Sequence, residues 1–175
     1  MRERDEADFV AFAQGARERL RRTAFLLCGD WDRASDHVQE GLIRVYVAWP
    51  RLERAGREYA YARKAVVSAV LDHARRRSST EVAVEPDPER PAAGDFVDTL
   101  TARAALMDAL AGLPPRQRAC VVLRYFEDLS VADTAAALGC SQGTVKSQTA
   151  RALDRLRSIF EDSPLGELTL GATSW

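Results

Sequence analysis

Between Ser141 and Leu156 the chain concentrates side chains suited to meeting a polyanion: hydroxyls at Thr144 and Ser147, and the longer Lys146, Gln148 and Arg151. At about 100° per residue, Ser147 centres an outward helix face with Gly143, Arg151 and Asp154, and Thr144 and Lys146 lie beside it. Val145, Thr149, Ala152 and Leu156 recur at helical spacing on the opposite side. Hydroxyls and a cation near a helix N-terminus can meet phosphates, and the longer side chains can reach phosphates or base edges in a major groove. A second set, Asp36, Gln39 and Glu40, puts acceptors on neighbouring turns of another helix, the chemistry of a charge-assisted contact with a basic partner helix. A third, Arg75-Arg76-Arg77, ends a helical stretch, where it either favours the helix dipole or offers a cationic patch to phosphate. No nucleophile–base pair, phosphate loop or metal-ligand cluster is visible, so these residues point to binding and away from catalysis.

The first set is positioned by a helix-turn-helix. Ser130 is placed as an N-cap with Asp133 as a short-armed capping-box partner. Ala132, Ala135, Ala136 and Leu138 give small apolar contacts, Gly139 permits a left-handed turn, and Ser141 caps the next helix. Upstream, Ala7–Cys28 repeats Phe9, Phe12, Ala16, Leu20, Ala24 and Leu27 at helical spacing. Trp31–Trp49 follows, with Ala34, Val38, Leu42 and Val45 on one side and Pro50 as its stop. A loop from Trp49 to Gly56 and a helix over Arg57–Arg77 complete this half. Thr101–Leu113 and Pro115–Phe126 are predicted helices, the second begun by a first-turn proline, and the last helix runs to about Phe160. The expected fold is all-α, with two small helical domains over residues 1–77 and 101–162. A flexible acidic linker over residues 78–100 joins them, and residues 163–175 are expected to form a mobile tail.

Charge layout agrees with a binding protein of local rather than overall basicity. The net charge is −1, yet Met1–Arg77 holds 16 basic and 12 acidic residues while Ser78–Leu100 holds one and six. Positive charge is thus confined to small faces, or a partner supplies much of the affinity. Cys28, Cys120 and Cys140 are isolated, as are His37 and His73, which predicts neither a disulfide framework nor a metal site, and no cofactor. No apolar run approaches a membrane span and the N-terminus is charged, which predicts a soluble, cytoplasmic protein.

Leu113–Arg157 closely resembles region 4 of bacterial sigma-70-family factors, especially the two-domain extracytoplasmic-function (ECF) group. The resemblance rests on Leu113-Pro114-Pro115, Leu123-Arg124-Tyr125, Leu138-Gly139-Cys140-Ser141 and Gly143-Thr144-Val145-Lys146-Ser147. In the other half, Asp36-x-x-Gln39-Glu40-Gly41 is similar to the family's region 2.2, and Trp49 with the arginine-ended helix to regions 2.3 and 2.4. It covers about Ala7 to Phe160, with a pattern similar to the actinobacterial SigE-like branch.

The resemblance implies a non-enzymatic subunit that directs core RNA polymerase to promoters and aids melting. It assigns −35 element contacts to Gln142, Gly143, Thr144, Lys146, Ser147, Gln148 and Arg151. For the −10 element it implies a flipped base held by the Trp49–Gly56 loop and a strand held by the Tyr59–Arg77 helix, through Trp49, Arg51, Tyr59, Arg63, Lys64, Arg75 and Arg76. Asp36, Gln39 and Glu40 would meet the β′ clamp helices, and the β flap is a further polymerase contact. An anti-sigma factor is an additional partner, and the chain is expected to be a monomer outside the holoenzyme. Ser35, Ser68, Gln148 and Thr149 depart from the family pattern. The linker either imitates RNA near the exit path or is a solvated spacer. The competing reading is a free-standing helix-turn-helix regulator, normally a dimer on a palindromic site.

Overall fold

The computed structural model describes residues 3–52, 56–80 and 97–161, and every element among them is helical. Three long helices, α1 (Glu3–Cys28), α2 (Trp31–Leu52) and α3 (Glu58–Thr80), form the first unit. The break between α1 and α2 is made locally. Gly29 turns at φ 76° with its N–H on Phe25 O, and the Asp30 carboxylate accepts the N–H groups of Asp32 and Arg33 at 2.8 Å, capping α2. Pro50 does not stop α2, which continues to Leu52. Pro50 and Tyr46 both lie on the solvent side, where water can satisfy the carbonyl freed by the missing N–H.

Helix α3 explains how the two halves meet. An amphipathic helix normally buries a stripe a little over 100° wide. Here Ala62, Arg63, Ala65, Val66, Val67, Ala69 and Val70 are all buried, an arc of about 200° at 100° per residue. One side of that arc packs on α1 and α2, and the other on α5 (Pro115–Val121) and α6 (Val131–Leu138). Ala119, Val122, Leu123 and Ala137 consequently belong to the same apolar cluster as Leu20, Val38, Val45 and Val66. The two helical halves are thus in contact through α3.

The second unit comprises α4 (Val97–Ala111), α5, a π-helical segment over Val122–Phe126, α6 and α7 (Gln142–Glu161). A continuous α-helix over Pro115–Phe126 was expected; the chain changes to the wider register after Val121. Leu110, Leu113 and Ala152 form a smaller core with Met107 and Leu156 against it. Arg118 ties the halves together by donating to Leu27 O and Ala111 O at 2.8 Å and to Leu113 O at 3.3 Å. Helices occupy Ser78–Thr80 and Val97–Leu100, which the sequence assigned to the linker; the remainder of that linker, the loop residues 53–55 and the tail expected over 163–175 lie outside the described residues.

Candidate nucleic-acid interface

The helix-turn-helix is built by its caps. Ser130 Oγ accepts the Asp133 N–H at 3.0 Å and donates to Asp133 Oδ2 at 2.6 Å. The aspartate thus pairs with the capping hydroxyl itself, its arm being one methylene shorter than the glutamate of a capping box. Gly139 sits at φ 61°, the Cys140 N–H reaches back to Ala135 O, and Ser141 Oγ accepts the Thr144 N–H at 3.1 Å to start α7. Val145 and Ala152 are fully buried, which fixes the rotation of α7 and turns Gln142, Gly143, Lys146, Ser147 and Arg151 to solvent. Thr144 and Gln148 are half-buried and line a crevice with Leu71, Cys120 and Cys140. Thr149 faces the core beside Cys120, whose thiol burial pushes up to about 11.

The residues assigned to the −10 element are divided by the structure. Trp49 is 2% exposed and packs edge-on against Phe9 at 5.3 Å and tilted against Phe12 at 5.2 Å, so it is a core residue and cannot stack on a base. Val38, Val45 and Trp49 follow one another at steps of seven and four residues, the spacing of one buried helical stripe. Arg63 is also buried and ion-paired to Glu127 at 3.6 Å, and Tyr59 is half-buried between the Arg19 and Arg63 guanidiniums. Burial first, then the Glu127 charge, pushes the Tyr59 phenol up to about 12. Neither side chain is open to DNA in this arrangement. Arg51, Lys64, Arg75 and Arg76 are exposed. Arg75 pairs with Asp72 at 3.0 Å and Arg76 donates to Asp72 O, so both are held at the end of α3. The exposed aromatic on this surface is Tyr61, which sequence reasoning passed over; it lines a groove of about 410 Å³ with Arg57, Ala60 and Lys64, closed on the far side by Asp133 and Ala136. Its position three residues before Lys64 was the available signal.

On α2, Asp36 and Gln39 are exposed and Glu40 is half-exposed, bonded to Arg44 at 2.5 Å. Ile43, Tyr46 and Val47, which the sequence reading left unassigned, are exposed on the same side. Between this face and α1 runs a groove of about 390 Å³ lined by Phe9, Ala13, Arg17, Gln39, Leu42 and Ile43. Acceptors beside exposed apolar side chains fit a protein partner better than a nucleic acid. Ser35, a departure from the family pattern, ties α1 to α2: its Oγ accepts from Arg21 Nε and donates to Trp31 O. His37 and His73 meet edge-on at 5.4 Å, and burial followed by the neighbouring His73 holds His37 below its usual range.

A capped helix-turn-helix on a second helical unit, with a polar outward face and a separate acidic–apolar helix surface, defines a DNA-binding protein that also docks on another protein. Comparison with known proteins narrows the class. The sigma-70 region 2 family profile matches residues 13–80 and that of sigma-70 region 4 matches residues 103–156. The chain is 40% identical over 150 residues to the RNA polymerase sigma-E factor of Streptomyces coelicolor, covering 86% of this chain and 84% of that protein. It is 33% identical over 141 residues to the ECF RNA polymerase sigma factor SigM of Mycobacterium tuberculosis, covering 81% and 71%. Among solved structures, the sigma factor RpoE, crystallised with the anti-sigma factor NepR from Bartonella quintana, aligns with a TM-score of 0.65 at 25% identity over 89% of this chain and 98% of that one. The chain belongs to the sigma-70 family, as an RNA polymerase sigma factor of the ECF type.

Proposed function

We propose that this sigma factor reads the −35 element with the outward face of α7, through Gln142, Gly143, Lys146, Ser147 and Arg151, with Thr144 and Gln148 at the edge of that face. The observation that supports this most is the rotation of α7: Val145 and Ala152 are buried to nothing while Lys146 and Arg151 stand in solvent on a helix whose N-terminus is capped and open. The exposed α2 face, Asp36, Gln39 and Glu40 with Ile43, Tyr46 and Val47, takes the β′ clamp helices of core RNA polymerase. Arg51, Tyr61, Lys64, Arg75 and Arg76 hold the −10 strand, joined by Tyr59 and Arg63 once region 4 has moved away. The chain acts in the cytoplasm and performs no chemistry itself: melting is driven by preferential binding to the open strand. An anti-sigma factor, as in the RpoE structure, is a fitting further partner.

Footprinting of holoenzyme on a promoter selected from a genomic library tests the reading. Lys146→Ala and Arg151→Ala should each weaken protection of the upstream element, and the slope of log affinity against log salt should fall by about one for each phosphate that is no longer neutralised. Unchanged protection and salt slope in both variants would remove α7 from the −35 element.

A further inference from the structure

The helix-turn-helix unit sends an acid into the first unit. Glu127 follows the π-helical segment with its N–H on Val122 O at 3.0 Å, and Asp128 after it adopts a left-handed φ of 52°. Arg124 donates to Leu129 O and closes the same turn. The Glu127 side chain is 0% exposed: Oε2 lies 3.0 Å from Arg19 and 3.6 Å from Arg63, and Oε1 accepts the Thr23 hydroxyl at 2.5 Å. All three partners belong to α1 and α3. The two guanidiniums also cover the Tyr59 ring, at 4.8 and 5.6 Å from its centroid. Arg63 meets Glu127 through one terminal nitrogen, and its Nε is buried without a hydrogen-bond partner.

We propose that Arg19, Thr23 and Arg63 form a binding site for a nucleic-acid phosphate, and that Glu127 is an internal stand-in for that phosphate. While it is seated, region 4 is latched over α3, and Tyr59, Arg63 and the groove beside Lys64 are withheld from DNA. Release of Glu127 both frees the helix-turn-helix unit and empties the anion site. Arg19 and Thr23, on α1, thereby join the −10 strand contacts, and the inference rests on the placement of the −10 strand along α3 proposed above.

The test uses the full chain without polymerase, in two variants that break the same contact from opposite sides. Glu127→Gln keeps the size of the side chain but presents an amide N–H₂ to two arginines. Arg19→Gln with Thr23→Val leaves region 4 intact and removes two partners. Small-angle scattering reads opening, circular dichroism reads helicity, and fluorescence anisotropy reads binding of a labelled oligo-dT strand. Both variants should keep their helicity and show a larger radius of gyration. Both should gain oligo-dT affinity as Tyr59 and the groove beside Lys64 are uncovered, and Glu127→Gln should gain about tenfold more than the α1 variant, the value of one charge-assisted contact, because only there is the vacated site intact. If both variants stay as compact as the parent, the latch is overturned. If both open and bind oligo-dT equally, the latch stands, but the anion site is overturned. If both open and neither gains affinity, the −10 placement along α3 fails while the latch stands. Should Glu127→Gln lose helicity, scattering from the α1 variant decides: opening supports the latch and compactness overturns it.

Discussion

Gly41, the glycine of the Asp36-x-x-Gln39-Glu40-Gly41 motif, lets α2 and α3 approach closely, and Gly41→Ala tests that packing. A Cβ at this position would lie 2.5 Å from Val66 Cγ2, 3.2 Å from Val66 N and 3.4 Å from Val66 Cα. Two effects oppose each other. Replacing glycine with alanine inside a helix favours the helix by about 1 kcal/mol. Against this, Val66 is 1% exposed, and a helical valine has one strongly preferred χ1 rotamer, so its methyl cannot swing aside freely. Rotation would also leave the backbone contacts in place, so the helices must part by a few tenths of an ångström beside Val38 and Val45. Overpacking of this kind costs about 1–3 kcal/mol. The net expectation is a loss on the order of 1 kcal/mol, which lowers the thermal midpoint by about 2–4 °C for a chain of this size. Melting followed by circular dichroism measures it. Val66→Ala removes the clashing methyl, so the double variant should be more stable than the sum of the two single effects. A raised midpoint for Gly41→Ala, or strict additivity in the double variant, would refute the steric account.

Asp36→Ala combined with Gln39→Ala should weaken binding to core polymerase with helicity unchanged, since both side chains are exposed while the core of α2 lies at Val38 and Val45; wild-type affinity in a pull-down titration would remove the clamp-helix assignment. Val145→Asp places an unpaired charge at a fully buried position and should destabilise the second unit by more than about 3 kcal/mol; an unaltered melt would show that Val145 is not held in the interior. His37 is buried near His73, Glu40, Asp36 and Arg33, and its pKa lies below 6.5 in the folded chain. The unfolded chain therefore takes up a proton first as pH falls, so His37's contribution is complete above about pH 6.5 and declines as pH drops below it toward the folded value. His37→Gln should flatten that part of the midpoint-versus-pH curve, and parallel curves for variant and parent would contradict the assignment.

Local signals in the sequence determined the helix-turn-helix almost completely. Ser130, Gly139 and Ser141 act within three or four residues of themselves, and the Val145–Ala152 spacing sets the rotation of α7, so no distant contact was needed to place Lys146 and Arg151 outward. The outward set on α2 was legible for the same reason. Trp49 was misassigned because an aromatic at the expected base-capturing position has the same residue type whether it faces DNA or Phe9 and Phe12; only the packing of α1 against α2 decides. Pro50 shows the converse, a local stop signal overridden where water reaches the freed carbonyl. The docking of the two units was decided by tertiary structure alone. Glu127 and Arg19 are separated by 108 residues, and an acid in a turn carries no mark in sequence of whether it meets solvent or two arginines from another helix pair. The wide apolar arc of α3 was the one trace of that contact in the chain, and its meaning depends on which surface arrives to cover it.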